Sequence, residues 1–368
     1  MSVRVLSGDD RAPEWARRLR RYVAGGALIL TLLVLAASCG SDTGPGEDAT
    51  AQDGTKAPTV VVWTEWVPYG VDSSYQRLHC RDLDRGPQWD LGGSEEVYVD
   101  DPAVSGHVMV WMRDRDEGGH SQRSLVVRDL VTGKEQALPD SDGARPQISG
   151  GWVVWHQGVE AEGGYRSLLV ARNLTSGLER VVEGGVGELF VYSLSGDWLV
   201  WPVGHGIYGD RDEIWGMRLS TGKRTLLRRK GPWGQPVAAG DWVLYGRSDQ
   251  HRVEALDLAS GKRRLLPRDA TTACDGERVV MVTYNGGEDG FRAGRDRMAV
   301  YDLRTRRTTE VPVPAEAGLI RMTDLAIHED WVIWWEGDEV GRLWAINYVS
   351  GETELIEDDA SAPSISKD

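Results

Sequence analysis

Gly204-His205-Gly206-Ile207-Tyr208-Gly209 carries the letters of a dinucleotide-binding fingerprint. That chemistry needs a helix N-terminus behind the glycines to receive phosphate, and here the flanking residues read as strands, so the motif offers no nucleotide site. Asp114-Arg115-Asp116-Glu117-Gly118 and the stretch 285–290 are oxygen-rich in the manner of calcium loops. Neither keeps the alternating ligand spacing or a later bidentate Glu. The seven histidines, His79, His107, His120, His156, His205, His251 and His328, are spread singly along the chain, and no Gly-x-Ser-x-Gly, His-Glu-x-x-His, Walker or paired-Cys pattern occurs. The sequence therefore assigns no catalytic residue, no metal ligand and no cofactor.

The elements that would position such residues recur seven times. Residues 196–227 write the unit most plainly: an apolar strand ending in Trp, a loop, a second strand, a Ser/Thr-Gly turn and a short last strand. Trp63, Trp111, Trp155, Trp201, Tyr245, Met281 and Trp334 end the equivalent first runs. A period of this length means stacked or ring-closed units. We name four short strands per unit, a to d. Strand a reads Pro-x-apolar-Ser, as in residues 102–105 and 146–149; strand b is the Trp-rich run. Strand b is apolar on both faces, as a sheet covered on both sides requires. Asp82, Asp129, Asn173, Asp257, Asp302 and Asn347 stand before the turn to strand d, where they can bond their own backbone. The sequon Asn173-Leu174-Thr175 falls in that turn and reads as incidental.

The predicted fold is all-β: a seven-bladed β-propeller of four-stranded antiparallel blades, closed by the C-terminal strand pairing with the N-terminal blade. The first unit begins at residues 58–59 without a strand a, while residues 362–366 have the strand-a pattern and nothing after it. Each end supplies what the other lacks, and residues 363–366 should complete the blade begun by residues 60–63. Most of the sixteen Trp residues fall at repeating core positions. Trp66, Trp233 and Trp335 do not, and are expected at the surface. Cys80 is placed in strand c of blade one and Cys274 at the Ser position of strand a in blade six. Those blades are not neighbours, so the two are expected as buried free thiols.

Three segments organise the chain: 1–38 a signal peptide, 39–56 a linker beginning at Cys39, and 57–368 the propeller. Arg17, Arg18, Arg20 and Arg21 precede an apolar run over residues 23–37, too short for a confident span. Leu35-Ala36-Ala37-Ser38-Cys39 resembles the lipobox of bacterial lipoproteins, with Ala36 where Leu is usual. The resemblance implies cleavage before a lipidated Cys39; the alternative is an uncleaved anchor. Either places the remainder on the extracytoplasmic face of the cell membrane. Residues 40–56 lack large apolar side chains and read as a flexible leash with a reach of ~20–25 Å. Without residues 1–38 the chain keeps 36 basic and 54 acidic residues, a net −18, which argues against nucleic acid. It is expected to be monomeric.

The repeat also resembles the TolB-type propeller repeat, on Pro146, Ser149, the run 152–155, the turn 174–177 and residues 257–262. It departs at Ser-Pro-Asp-Gly, written Ser-Gly-Gly or Ser-Gly-Asp here. The resemblance implies a propeller fold and a surface for partners. Function then rests on the loops. Strand alternation puts the b–c and d–a loops on one face of the disc. That loop face carries Trp66, Tyr69, His120, His156, Tyr165, His205, Tyr208, Tyr284 and Phe291 among many acids, and Trp233 and Trp335 join them as candidate recognition residues. The opposite turn face carries Lys134, Lys223, Arg224, Lys262, Arg263, Arg306 and Arg307 and is expected to be basic. The expected function is binding or scaffolding of a protein or cell-envelope glycan through an acidic, aromatic loop face. The alternative is a polysaccharide-acting enzyme, since some seven-bladed lyases gather histidines around a metal.

Overall fold

In the computed structural model the described residues are 59–365, less 70–72, 85, 87, 95–96, 117–120, 139–140, 142, 162–163, 184–190, 204–212, 230–231, 248–251, 268–269, 284–296, 315–316, 318–324 and 338–340. The signal segment, Cys39, the linker, His120, His205, Tyr208, His251, Tyr284 and Phe291 lie outside them. The described chain is a seven-bladed propeller of antiparallel four-stranded blades. Blade two is Val97–Ser105, Val108–Asp116, Ser121–Asp129 and Glu135–Ala137; blade three is Ala144–Ser149, Trp152–Ala161, Gly164–Asn173 and Glu179–Glu183. Blades four, five and six follow over residues 193–229, 232–265 and 270–311 in the same order.

Blades seven and one form one continuous seven-stranded sheet, because the strand Thr353–Ile365 serves both. Its first half pairs with Gly341–Asn347 as strand d of blade seven. Its second half pairs with strand b of blade one, Val60–Tyr69, in the register Val61 with Ile365, Val62 with Ser364 and Thr64 with Ser361. The predicted closure is present and begins a few residues earlier than the sequence reading placed it.

Period-2 alternation along strand b sends successive side chains to opposite neighbours. In blade three Val153 and Trp155 pack with blade two, whereas Trp152 and Val154 pack with blade four. The result among the described residues is seven apolar clusters, each drawn from two adjacent blades. Trp63, Trp111, Trp155, Trp201, Tyr245, Met281 and Trp334 each face the preceding blade, one per interface. The core is thus a ring of seven interfaces, and burying each large ring contributes a few kcal/mol, on the order of 2–3.

The turn face is held by short polar links. Asn173 Oδ1 accepts from the N–H groups of Thr175 and Ser176 at 3.2 and 2.9 Å, and Asp129, Asp257, Asp302 and Asn347 repeat the arrangement. Blade four has Arg218 at this position, and Asp197 of the preceding turn accepts from Ser220 N–H instead, at 2.6 Å. Between blades, the strand-a Ser accepts from the next blade's a–b turn: Gly196 N–H to Ser149 Oγ and Gly240 N–H to Ser195 Oγ, both 2.6 Å. The turns touch closely here. A Cβ on Gly150, at φ +52°, would stand 3.1 Å from Gly196 Cα, which explains the glycine.

In blade six Asp275 takes the Ser position and accepts from Glu329 N–H at 2.9 Å. Cys274 sits one residue earlier, paired with Val279 and turned into the blade five/six core, which corrects its placement by one position. Cys80 and Cys274 are free and buried, and burial pushes the Cys80 thiol up to about 12. In blade five the Ser position is Ala239, which has no acceptor to offer. Ala239→Ser is expected to raise stability by about 0.5–1.5 kcal/mol by supplying the missing inter-blade bond. Urea denaturation checks it; an unchanged or lowered midpoint would show that the Oγ finds no donor there.

Candidate binding site at the loop-face ends of the inner strands

Residues read as long b–c loops in blades one to three are largely strand. Trp66 pairs with Gln76, Tyr69 with Ser73, Asp116 with Ser121 and Tyr165 with Glu160, so these blades project two-stranded ribbons. Alternating polar residues satisfy a solvated ribbon's ladder as well as a loop's, and the sequence could not separate them. Trp233 also lies in a strand, the inner one of blade five, Pro232–Ala239.

Trp335 is a correction. It is 8 % exposed and packs with Val61, Trp63, Ile333 and Leu343 between blades seven and one, so it belongs to the core. Strand b of blade seven continues to Gly337, and Trp335 keeps the alternation that puts Trp331 and Ile333 on the same face. The turn face is corrected too: it is mixed in charge and internally tied. Arg180 donates to Leu219 O and Ser220 O, Arg224 to Val181 O and Arg263 to Leu227 O, each reaching the neighbouring blade. Asp129, Asp257 and Asp302 carry negative charge in the same turns, their carboxyls held below the usual range. Hydrogen bonds from their own turns are the main favourable cause, against the burial that opposes the shift most strongly at Asp302.

A polar constellation not singled out from sequence lies at the other end of the inner strands. In blades one, two, three and five strand a breaks register just before or at its proline-led segment, and blade six breaks at the same place without a proline; in blade two Asp100 pairs with Met112 and Ala103 with Val110, a one-residue bulge. The bulge is where an inner strand can hold a proline, which has no N–H for the ladder. In blades two and three the residue before that proline has a left-handed backbone without being glycine: Asp101 at φ 50° and Arg145 at φ 54°. A non-glycine residue there is strained.

These two residues meet across the blade boundary. Arg145 N–H donates to Asp101 Oδ2 at 3.0 Å, and Asp101 N–H to Asp100 Oδ1 at 2.8 Å. The Tyr98 hydroxyl donates to Asp100 Oδ2 at 2.9 Å. From blade four, the Tyr192 hydroxyl donates its one proton to Arg145 O, with Val154 O at 3.1 Å as the second acceptor within reach, while Gln147 Nε2 donates to Tyr192 O at 3.1 Å. Burial pushes the Asp101 carboxyl up to about 6, helped by the Asp100 charge and opposed by Arg145 and Arg123. Burial raises Asp100 as well, against bonds from Asp101 N–H and Tyr98 and the influence of Gln76 and Arg145. His156, a predicted recognition residue, is half-buried beside this group; burial first and Arg145 second lower its pKa.

The other described histidines each stand by their own carboxylate. His79 Nε2 lies 2.8 Å from Glu65 Oε2, His107 Nε2 3.6 Å from Asp129 Oδ2 and His328 Nδ1 3.6 Å from Asp275 Oδ2. They are not gathered. Among the described residues no three His, Cys, Asp or Glu are arranged to hold a metal ion. The sequence signal that could have found the new constellation was Asp-Asp-Pro and Arg-Pro directly ahead of two strand-a repeats.

A carboxyl whose folded pKa lies above its unfolded value favours the folded state below the unfolded value, and that contribution disappears as pH rises through the folded one. For Asp101 the window runs from about 4 to 6. Asp101→Asn keeps an acceptor for Arg145 N–H and removes the charge. It should stabilise the protein by about 1–3 kcal/mol at pH 7.5 and by nothing at pH 4. Melting curves at both pH values check it; a destabilised variant at pH 7.5 would show that the charge is net favourable where it stands.

This architecture defines a β-propeller as the class. No protein-family model matches the chain, and no curated protein matches it. Solved structures do. The β-propeller domain of the Trilobed protease from Pyrococcus furiosus superposes with a TM-score of 0.55 at 12 % identity, over 72 % of this chain and 84 % of that one. An acylaminoacyl peptidase from Pyrococcus horikoshii gives 0.59 at 13 % identity over 81 % of this chain, but only 51 % of its own length has a counterpart here. TolB from Acinetobacter baumannii gives 0.47 at 12 % identity over 84 % and 83 % of the two chains. These likenesses concern the fold.

Proposed function

We propose that this chain is a lipid-anchored, extracytoplasmic propeller that binds or scaffolds a protein or cell-envelope polymer through its loop face, without catalysis. The observation that carries the loop-face choice is an asymmetry between the two ends of the blades. Arginines of the turn face donate to the carbonyls of neighbouring blades and its carboxyls are held low by their own turns, whereas carboxyls raised by burial meet at the loop-face ends of the inner strands. Costly features of this kind mark binding surfaces more often than scaffolds. The lipid anchor rests on the export-type segment and Cys39.

The test is proximity crosslinking in intact cells, comparing wild type with Trp66→Ala/Trp233→Ala. Capture of a defined protein or glycan by wild type, lost in the folded variant, supports the reading. Capture that ignores both substitutions sinks the loop-face assignment, and release of soluble sugars from a polysaccharide panel would replace binding by enzymatic action. Cys39→Ser should shift the protein from the membrane to the soluble fraction.

A further inference from the structure

We propose that Asp100 and Asp101, with Gln76, form a subsite for a primary ammonium group, the side chain of a lysine on a partner polypeptide. The proposal rests on the loop-face reading and names the chemistry it would recognise. Both oxygens of Asp100 already take one hydrogen bond each, from Asp101 N–H and the Tyr98 hydroxyl. Asp101 takes one at Oδ2 from Arg145 N–H, which leaves Oδ1 open.

The second observation comes from blade one. Gln76 lies on the strand face that carries Leu78 and Cys80 into the blade one/two interface, so its side chain points at blade two, where it acts on Asp100. It is 1 % exposed; its nitrogen faces the Asp100 carboxylate, and its amide oxygen has no hydrogen-bond partner. A buried amide oxygen without a partner is costly and calls for a donor that completes it. An ammonium offers three donors and no acceptor, which matches Asp101 Oδ1, Asp100 Oδ2 and Gln76 Oε1. A divalent cation fits less well, because no group of three acidic, imidazole or thiol ligands is assembled there among the described residues. The negative charge of the chain complements a basic partner.

The charged and titratable groups facing the pair are Tyr98 on its own strand, Arg123 of blade two, Arg145 and His156 of blade three and Tyr192 of blade four. Protonation of Asp101 removes the negative charge that would hold the ammonium, so binding should weaken as pH falls from 7.5 to 5.

The experiment is isothermal titration of the full chain in detergent micelles with tetralysine amide. Expected are a loss of about tenfold or more in Asp100→Asn/Asp101→Asn and of about fivefold in the charge-neutral Gln76→Leu, with less than about twofold in Glu310→Gln/Glu352→Gln, which removes two exposed carboxylates elsewhere. Circular dichroism and melting curves confirm that each variant is folded. Equal losses in the control variant would reduce the effect to overall charge and overturn the subsite. So would an unchanged Gln76→Leu, or calcium chloride binding with the same dependence while tetralysine does not. If tetralysine fails to bind wild type while crosslinking still captures a partner at the loop face, this proposal falls and the binding reading survives.

Discussion

Deleting residues 358–368 is expected to leave a chain without a cooperative unfolding transition. The deletion removes the inner strand of blade one, whose partners are Val61, Val62, Thr64 and Glu65. It bares the fully buried Val61, Val62 and Trp63 and opens the cluster they share with Trp331, Ile333 and Leu343. A total stability of about 5–15 kcal/mol is smaller than the loss of a core strand together with the newly unpaired edge of Val60–Tyr69. The exposed edge should also recruit other chains. Size-exclusion chromatography, dye binding and thermal melts read the outcome. A truncated monomer melting as sharply and as high as the full chain would show that the ring does not depend on this strand.

The second large effect is local. Trp155→Ala should destabilise by about 3–5 kcal/mol, the cost of removing a large ring from a site that cannot collapse. Trp155 is 2 % exposed and lies among Val110, Leu125, Ile148 and Val170. Gly143 is seated so closely that a Cβ there would stand 2.2 Å from the ring, and the gap has rigid strands on both sides. Trp89→Ala is the contrast: that ring is 43 % exposed, and the change should stay within about 0.5 kcal/mol. Denaturant midpoints decide between them. Equal effects of the two substitutions would mean that the inter-blade rings are not what holds the blades together.

The repeat was legible because its physics is local. An apolar run ending in Trp, an Asp or Asn that bonds its own backbone and a turn glycine each act within a few residues, so each copy carries its own instructions. Closure was legible for the same reason: residues 363–366 repeat a pattern that lacks a following strand. Trp335 was misread because a Trp one place beyond the repeat looks exposed in a string of letters. Only the continuation of its strand shows that the side chain alternates back into the core.

The sequence alone determined the ring, its count of blades, the Trp-lined interfaces and the polar turns, since all of these follow from short-range period and turn chemistry. The tertiary structure decided which residues from different blades share a space. Gln76, Asp100, Asp101, Arg145 and Tyr192 span well over a hundred positions, and their meeting depends on bulges that re-aim two inner strands. Burial of the Asp100–Asp101 pair exists only once three blades enclose it. A pKa raised by desolvation is a property of that enclosure, which no residue carries by itself.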